Sequence, residues 1–285
     1  MNILNTYIFD IRNYTENLIE ENGIFFGKNK NEISYPEEGN DFCFKLEDNS
    51  FWFKHRNNCI VEIVKKYAPD KIFFDVGGGN GFTAKCLEDN GITTCLMEPG
   101  LHGCLNAKTR GLSNIICSTL ETASFKTNSL PAIGLFDVIE HIENDDAFLN
   151  VINMHCKNDG FVFITVPAYQ FLWSKEDKDA GHFRRYTLHS IKNKLKKSGF
   201  ETVYSTYIFS FLIFPILLFR TIPKYIGIGK TGQKKSEKEH GIANEKELGN
   251  MILSKLLCLE VKQIRKKRKI FFGGSCLVVA KKMNL

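Results

Sequence analysis

A glycine-rich segment preceded by an acid is the part of the chain whose residue types and spacing most directly suggest chemistry. Gly77, Gly79 and Gly81 alternate in the run Asp75-Val-Gly-Gly-Gly-Asn-Gly81, one residue shorter than the dinucleotide-binding pattern G-x-G-x-x-G. Glycine has no side chain and accepts positive φ, so such a turn lets the backbone approach a ligand closely. A carboxylate just before the first glycine would repel a pyrophosphate. Asp75 therefore favours a ligand that carries a cationic group.

A second acid follows the glycine turn at the distance expected of a ribose-binding residue. Glu98 stands about 20 residues further on, after the apolar run 92–97. At the end of a strand, its carboxylate can accept hydrogen bonds from both hydroxyls of a ribose. Enzymes that bind NAD share this feature, so Glu98 is informative only together with Asp75.

Three segments resemble, in order, the successive motifs of class I S-adenosylmethionine-dependent methyltransferases. They are the glycine turn, Met97-Glu98-Pro99 and the run Phe136-Asp-Val-Ile-Glu-His-Ile142, and the resemblance covers residues 55–207 and the closing strand. It implies that S-adenosyl-L-methionine is the cofactor and that Asp137, Glu140 and His141 lie beside the sulfonium and the acceptor. The cofactor contacts that it implies are Asp75, Gly77, Gly78, Gly79, Asn80, Gly81, Glu98, Pro99, Thr119, Leu120, Glu121, Asp137 and Val138.

The segment after the fifth predicted strand carries the residues that we expect to face the acceptor. Its pattern Ser174-x-x-Asp-x-x-x-Gly-His-x-Arg-Arg-Tyr186 is similar to that of a subgroup of bacterial and archaeal methyltransferases. Ligands in open α/β sheets bind beyond the carboxyl ends of the strands. The predicted acceptor-binding residues are Tyr169, Trp173, Asp177, Arg184, Arg185 and Tyr186.

Two interpretations of the paired arginines in this segment remain open. Arg184 or Arg185 could grip an anionic acceptor group through a planar guanidinium. Alternatively, the two could pair with Asp177, Asp179 or Glu176 and fix the loop, with Thr187 capping the next helix.

Histidine is the side chain best suited to remove a proton from the acceptor. Methyl transfer from a sulfonium is an in-line displacement, in which the protein mainly aligns the acceptor with the methyl carbon. His141 is the first candidate base and His182 the second, because imidazole titrates near neutral pH. His141 could instead line the cofactor pocket and bond to the backbone. No two cysteines are spaced as in a zinc site, and we predict no metal.

The elements that must position these residues alternate between short apolar runs and helical patterns. Predicted strands cover 71–76, 92–97, 114–117, 132–137 and 161–166, and predicted helices cover 82–90, 102–111, 145–157 and 187–198. A strand at 201–207 follows Gly199, and a final strand at 275–280 could pair with it. This order predicts an α/β fold with a doubly wound Rossmann-like sheet, mostly parallel, with an antiparallel C-terminal strand.

The predicted domain organisation places additions around this core. We expect an N-terminal extension or lid at 1–54, the methyltransferase core at 55–207, an apolar and helical insertion at 208–269 and the final core strand at 270–285. The aromatic patch at 51–56 could cover the cofactor or belong to the core. The apolar run 208–219 is shorter than the roughly 20 residues of a spanning helix. Residues 208–225 could form a buried or homodimer contact, a substrate lid or a peripheral membrane contact.

Composition limits the class of protein and its surroundings. A hydrophobic share of 43% and a charged share of 25% are ordinary for a soluble globular protein and argue against disorder throughout. The net charge of +6 is concentrated in a basic cluster at 262–269, which could contact phosphate or be a solvated helix face. Nine scattered cysteines and no secretory leader favour the cytoplasm.

The functional expectation is a methyltransferase that acts on an oxygen or nitrogen of a small molecule, with an anionic, sugar or lipid-linked acceptor. One alternative is an RNA-modifying enzyme that uses the basic cluster. The Asn/Asp-Pro-Pro-Tyr motif of many nucleic-acid amine methyltransferases is missing, so we do not expect a nucleic-acid partner. Another alternative is a non-catalytic scaffold that binds S-adenosylmethionine.

Overall fold

A computed structural model describes residues 9–27, 43–213 and 247–284. Most of the predicted contact surface 208–225 lies outside the described residues. In the described ranges, no helix combines the length and the apolar character that a membrane span requires.

The centre of the fold is one sheet in which the spatial order of strands is β1-β2-β5-β4-β3-β6-β7-β9-β8. Strands β2 to β7 run parallel to one another, whereas β1 is antiparallel to β2, and β9 is antiparallel to both β7 and β8. The strands are β1 Ile19–Glu21, β2 Ile24–Phe26, β3 Phe73–Val76, β4 Thr94–Met97, β5 Ile115–Cys117, β6 Leu130–Phe136, β7 Cys156–Pro167, β8 Phe200–Ile208 and β9 Ser275–Lys282.

Helices cover both faces of this sheet. They are α1 Phe51–Tyr67, α2 Phe82–Asp89, α3 Leu101–Thr109, α4 Asp145–His155, α5 Lys175–Asp179, α6 Leu188–Lys197 and α7 Glu247–Arg265. Apolar side chains of α4 and α6 pack into one buried cluster, while those of α1 and α7 pack into a second cluster on the opposite face. The predicted doubly wound α/β fold is confirmed.

The inner strands form because their residues are apolar on both faces. All four residues of β3 and of β4 are buried, as expected of parallel strands covered by helices on both sides. The carboxyl ends of β3, β4, β6 and β7 consequently lie along one edge of the sheet, where the predicted site residues follow them.

The C-terminal strand enters the sheet between two strands that precede it in sequence. In β9, Cys276 is opposite Val166 of β7 and Tyr207 of β8. The predicted pairing with the 201–207 strand is therefore confirmed. Gly199, with φ of 81°, ends α6 in the left-handed conformation and turns the chain into β8.

The N-terminal residues add a hairpin to the sheet that the sequence pattern did not predict. Strands β1 and β2 pair antiparallel, and β2 runs parallel to β5, with Phe25 opposite Ile116. A short helical segment at 43–47 and α1 follow. The division of the chain at residues 54, 207 and 269 stays a prediction.

Candidate functional site

The glycine turn between β3 and α2 has a shape that only glycine permits at several positions. Gly77, Gly79 and Gly81 have φ values of 69°, 54° and 73°. A Cβ on Gly81 would lie 2.5 Å from a Leu112 methyl carbon, and one on Gly78 would lie 2.5 Å from Oδ2 of Asp75. The turn therefore passes directly over the Asp75 carboxyl group.

Asp75 is a buried acid whose oxygens are unsatisfied. Neither carboxyl oxygen has a hydrogen-bond partner of normal geometry among the described residues. Burial raises the pKa of Asp75 to about 7, and Glu98 adds to this, although Arg56 and the Ala84 backbone act in the opposite direction. Native buried polar groups are rarely left unpaired, so this carboxyl group is a strong candidate to receive a cationic ligand.

Glu98 is held against the same turn from the end of β4. Its Oε2 accepts a hydrogen bond from the Gly79 amide at 3.0 Å, and its Oε1 accepts one from the Gly100 amide at 2.8 Å. Burial raises the pKa of Glu98, while these two bonds oppose the shift. A carboxylate offers about four lone-pair sites, so two amide bonds leave others for ligand hydroxyls. Pro99 follows and is partly exposed.

The Asn80 side chain is engaged by protein groups. Its Nδ2 donates to Glu47 at 3.3 Å, and its Oδ1 accepts from Asn106 at 3.0 Å. Arg110 in turn bonds Glu47 at 2.7 Å. If Asn80 contacts a cofactor, its backbone would therefore make the contact. That contact stays a prediction.

The residues predicted to flank an adenine follow β5 as a turn. Thr119 is partly exposed and its hydroxyl bonds that of Thr122 at 3.1 Å. The side chain of Leu120 is buried in the core, and Glu121 is exposed. The end of the hairpin lies close by, since a Cβ on Gly27 would be 2.4 Å from the Ser118 hydroxyl.

Arg56, on α1, is the cation at the centre of the site. Its Nη1 is hydrogen-bonded to Oδ2 of Asp137, and its Nη2 donates to the Thr83 hydroxyl at 3.0 Å. Its Nε is buried without a partner among the described residues. The sequence placed Arg56 only within the aromatic patch 51–56, and the contact with Asp137 across about 80 residues had no signal there.

Asp137 follows β6 in a conformation unusual for a residue with a side chain. Its φ is 58°, and its Oδ1 accepts a hydrogen bond from the Thr165 hydroxyl at 3.0 Å. Strained backbone of this kind concentrates at functional sites. The neighbouring Val138 packs against Gly77, since a Cβ there would lie 3.0 Å from a Val138 methyl carbon. Asp137 and Val138 thus adjoin the glycine turn.

The two predicted bases lie against each other. The rings of His141 and His182 are 4.7 Å apart and nearly perpendicular. Burial lowers the pKa of His141 to about 4, His182 acts in the same direction, and Asp137 opposes the shift. His141 is therefore a neutral imidazole at neutral pH, in the form that can accept a proton.

Asp177 organises the loop that carries His182. It accepts hydrogen bonds from His182 Nδ1 at 2.9 Å, from Arg185 Nε and Nη2 at 2.8 and 2.9 Å, and from the Ser174 amide at 2.8 Å. Burial alone would raise the pKa of Asp177, but the bonds from His182 and Arg185 hold it well below its ordinary value. The Asp177–Arg185 pair is the loop-fixing contact that one of the two interpretations expected.

Arg184 and Tyr186 tie the same loop to the segment after β6. Arg184 donates to the backbone carbonyls of Ile142 and Glu143 at 3.0 and 2.7 Å, and the buried Tyr186 hydroxyl donates to Asp145 at 2.8 Å. Thr187 caps α6, as predicted. Arg184 also pairs with Asp145 at 3.1 Å, whereas the loop-fixing interpretation named Asp177, Asp179 or Glu176 as its partner. The contacts of Arg185 and Thr187 support that interpretation, and acceptor binding by Arg184, Arg185 or Tyr186 stays a prediction.

The remaining predicted acceptor residues line the outer part of this edge. The Tyr169 ring is partly exposed and stacks on Tyr207 at 5.0 Å and on Phe171 at 5.2 Å. Trp173 is also partly exposed. These rings could contact a flat or apolar acceptor.

Glu140 is the other acid of the site whose oxygens lack partners. It is completely buried, and neither oxygen has a hydrogen-bond partner among the described residues. Burial, with the neighbouring Asp137, raises its pKa well above the ordinary value. The motif resemblance drew attention to Glu140, but its burial could not be predicted from the sequence.

Comparison with known proteins gives the family. A family model described as a methyltransferase domain matches residues 52–205. A search of curated proteins found no match. The fold is similar to that of phosphoethanolamine N-methyltransferase 2 from Haemonchus contortus, solved with S-adenosyl-L-methionine, at 18% identity and a TM-score of 0.54, over 89% of this chain and 59% of that chain.

Two further solved structures are similar at comparable levels. One is the same worm enzyme with phosphomonomethylethanolamine and S-adenosylhomocysteine, at 17% identity and a TM-score of 0.54, over 87% of this chain and 58% of that one. This chain thus spans under two thirds of the worm enzyme. The other is a possible histamine N-methyltransferase from Thermotoga maritima, at 14% identity and a TM-score of 0.50, over 86% and 96% of the two chains. These likenesses confirm the Rossmann-like methyltransferase fold, and with the match over 52–205 the chain belongs to the methyltransferase-domain family.

Proposed function

We propose that this protein transfers a methyl group from S-adenosyl-L-methionine to an oxygen or nitrogen atom of a small-molecule acceptor. The observation that carries the proposal is the buried Asp75 carboxyl group, which has no hydrogen-bond partner in the part of the chain that the structure describes and lies beneath a glycine turn that also adjoins Glu98. The donor carries an ammonium, a sulfonium and a ribose diol. It therefore matches a buried acid next to a second acid with spare lone pairs.

The charges around the turn suggest how the methionine end is held. Asp75 receives the ammonium group, and Glu98 accepts hydrogen bonds from the ribose. Arg56 is the nearby cation with one unpaired nitrogen, and it is suited to the donor's carboxylate. Its bond to Asp137 would then be exchanged, wholly or in part, for the ligand.

The acceptor is aligned at the carboxyl ends of β6 and β7. His141 is neutral at neutral pH and lies next to His182, so it can take a proton from a hydroxyl or an ammonium group. The loop pattern from Ser174 to Tyr186 supports assignment to the subgroup that it resembles. The worm and Thermotoga proteins are named for small amine acceptors, which agrees with a small-molecule class.

Calorimetry with S-adenosylhomocysteine tests the donor site. We expect Asp75→Ala and Glu98→Ala each to weaken binding at least tenfold, about 1.4 kcal/mol, because each removes a charged partner of the ligand. The control is Asp89→Ala, an exposed acid on α2 that pairs with Lys85. No binding by the native protein, or full binding by both site variants, would reject the proposal.

A methyl-transfer screen tests the acceptor class. The native protein and His141→Gln are incubated with methyl-labelled donor and separate pools of hydroxyl compounds, amines, lipid-linked sugars and RNA. We expect label in a small-molecule or lipid-linked pool, and a loss of at least about a hundredfold in kcat/KM for His141→Gln if it acts as the base. Label in RNA alone would support the RNA-modifying alternative, and binding without turnover would support a scaffold.

Part of the same proposal is that the enzyme works in the cytoplasm at an anionic membrane surface, where it meets its acceptor. Phe271 and Phe272 are 85% and 47% exposed, and Lys266, Lys267, Arg268 and Lys269 before them are exposed as well. The stretch 261–275 contains no acidic residue. Exposed aromatics beside a group of cations are typical of proteins that bind the lipid interface.

A further inference from the structure

Three side chains that could bind a metal converge beside the proposed acceptor position. Glu140, His141 and His182 each offer one ligand atom, and these atoms all lie within 4.8 Å of one another. Tetrahedral coordination with bonds of about 2.0–2.1 Å places ligand atoms about 3.3 Å apart, so small side-chain rotations would complete such a site. Two of the residues come from the segment after β6 and one from the loop after β7.

The unsatisfied state of Glu140 is an independent observation that points to a ligand. Both of its oxygens are completely buried and have no hydrogen-bond partner in the described part of the chain. A buried carboxyl group without partners is costly, and coordination of a cation is one of the few arrangements that compensate it.

A second cluster in the same molecule provides a contrast. His55, Cys59 and Glu260 also lie within 4.8 Å of one another and are buried. The Glu260 carboxylate, however, accepts bonds from His55 at 2.7 Å, from the Phe209 amide at 2.6 Å and from the Ser210 amide at 2.9 Å. That carboxylate is satisfied by protein groups, whereas the Glu140 carboxyl is not.

Each of the two histidines has one ring nitrogen engaged by a protein group, as is usual for histidines that bind a metal. His182 bonds Asp177 through Nδ1 at 2.9 Å, which leaves Nε2 for coordination. A ring nitrogen of His141 interacts with the Ala180 backbone. Ligating histidines typically use their second nitrogen in this way, with a carboxylate or a carbonyl that fixes the ring orientation.

We infer that Glu140, His141 and His182 form a binding site for a divalent transition-metal ion of the zinc and cobalt class. Two imidazoles and one carboxylate are the ligand set of several catalytic zinc sites, which keep a further position open. This inference departs from the sequence-based prediction of no metal. It also rests on the proposed function: the open position of the ion would face an oxygen-containing acceptor, which the ion would orient and polarise. In the metal-bound enzyme His141 would then act as a ligand and not as the base.

Titration of the EDTA-treated full-length protein with Co²⁺ tests the site. We expect one equivalent to bind with visible absorption bands, and Zn²⁺ to displace it. Glu140→Gln and His182→Gln should each weaken Co²⁺ binding at least tenfold. Asp177→Asn should weaken it 10- to 100-fold through His182, about the usual effect of a lost supporting bond. The matched control is His189→Gln, an exposed histidine on α6.

The outcomes separate this inference from the donor site. Each variant is checked by circular dichroism and by its affinity for S-adenosylhomocysteine, and if Glu140→Gln does not fold, His182→Gln decides. Absence of Co²⁺ binding, unchanged binding in the folded variants, or a thiolate charge-transfer band from a cysteine site would overturn the metal site. If S-adenosylhomocysteine still binds in that case, the proposed function survives.

Discussion

At the scale of single residues, the site contains two buried acids, Asp75 and Glu140, whose oxygens have no hydrogen-bond partner among the described residues. Asp75 is completely buried, and its ordinary carboxyl pKa of 3.8 is raised to about 7 because ionisation there is unfavourable. A cationic ligand would reverse this, because a positive group beside the carboxylate favours its ionised form. The protonation state of Asp75 should therefore couple the stability of the ligand-free fold to ligand binding.

The ligand-free protein should lose stability as pH rises through this range. Since the folded pKa lies above the unfolded pKa, the native state binds the proton more tightly between about pH 4 and 7, and the free energy of unfolding falls as pH increases there. Asp75→Asn cannot ionise at this position. We therefore expect its free energy of unfolding, measured relative to that of the native protein, to rise by about 2–3 kcal/mol from pH 5 to pH 8. Urea unfolding at the two pH values measures this. If the variant and the native protein differ by the same free energy of unfolding at pH 5 and at pH 8, Asp75 does not titrate in that range.

Binding should show the opposite trend. Because the ionised carboxylate receives the ligand's ammonium group, affinity for S-adenosylhomocysteine should increase from pH 6 to pH 8, with release of up to one proton per site. Calorimetry in two buffers of different ionisation enthalpy measures the released proton. Release should be strongly reduced in Asp75→Asn. Undiminished release in that variant would assign the proton to another group.

At the scale of elements, α1 and α7 form a layer over one face of the sheet and are joined by two different side-chain pairs. Inside, His55 on α1 bonds Glu260 on α7, which also accepts the amides of Phe209 and Ser210 just after β8. At the surface, Arg265 on α7 bonds Glu62 on α1 at 2.6 Å. The same two helices thus provide a buried and an exposed link that can be compared directly.

Removing the buried Glu260 should be far more damaging than removing the partly exposed Glu62. Glu260→Ala leaves His55 and two backbone amides unsatisfied, so we expect a loss of about 3–5 kcal/mol in the free energy of unfolding. Glu62→Ala removes a partner of the well-exposed Arg265, and we expect a loss below about 1 kcal/mol. Denaturant unfolding of both variants tests the comparison. Equal losses would mean that Glu260 does not hold the layer together.

The features of the fold that could be predicted from the sequence are those that depend on residues close together in the chain. The core strands carry continuous apolar runs, so β3 to β9 were predicted close to their observed limits, except for the start of β7. The β1–β2 hairpin was missed because each strand has only three residues and all of β1 is exposed. The start of β7 at Cys156 was missed because Lys157-Asn-Asp-Gly160 is polar and typical of a loop.

The same distinction applies to the site. Local spacing predicted the glycine turn and the acids at the strand ends, since those depend on one strand and the turn that follows it. Arg56 pairs with Asp137 only if α1 crosses the sheet edge and is rotated about its own axis so that Arg56 faces the site. No local sequence pattern specifies that rotation. The burial of Glu140 likewise depends on the loop from Ser174 to Tyr186, which covers the segment after β6.

At the scale of the whole molecule, exposed phenylalanines collect at the edge of the sheet that carries the site. Phe271 and Phe272 precede β9, whose first residue is opposite Pro167 at the carboxyl end of β7. Phe171 and Phe183, which are 52% and 49% exposed, follow β7 itself, and the exposed Phe211 follows β8. The cations at 266–269 continue this surface along β8 toward the end of α1, where Lys267 lies over the Tyr67 ring. The phenylalanines and these cations are the two components that our proposal requires for contact with anionic lipids.

Membrane binding through this edge should depend on both the aromatic and the charged residues. We expect the native protein to sediment with vesicles containing phosphatidylserine and to remain unbound with purely zwitterionic vesicles, with binding weakened by salt. Phe271→Ser with Phe272→Ser should reduce binding at least tenfold, since two buried rings would be lost. Lys266→Glu with Lys269→Glu should also reduce it, by about 1 kcal/mol or more for each charge. The matched control is Lys192→Glu with Lys196→Glu, exposed cations on α6. Absence of binding to the anionic vesicles would contradict membrane binding, and equal binding to both vesicle types would contradict the role of the cations. A change of sedimentation coefficient that marks a homodimer and disappears in the phenylalanine variant would assign this edge to protein contacts instead.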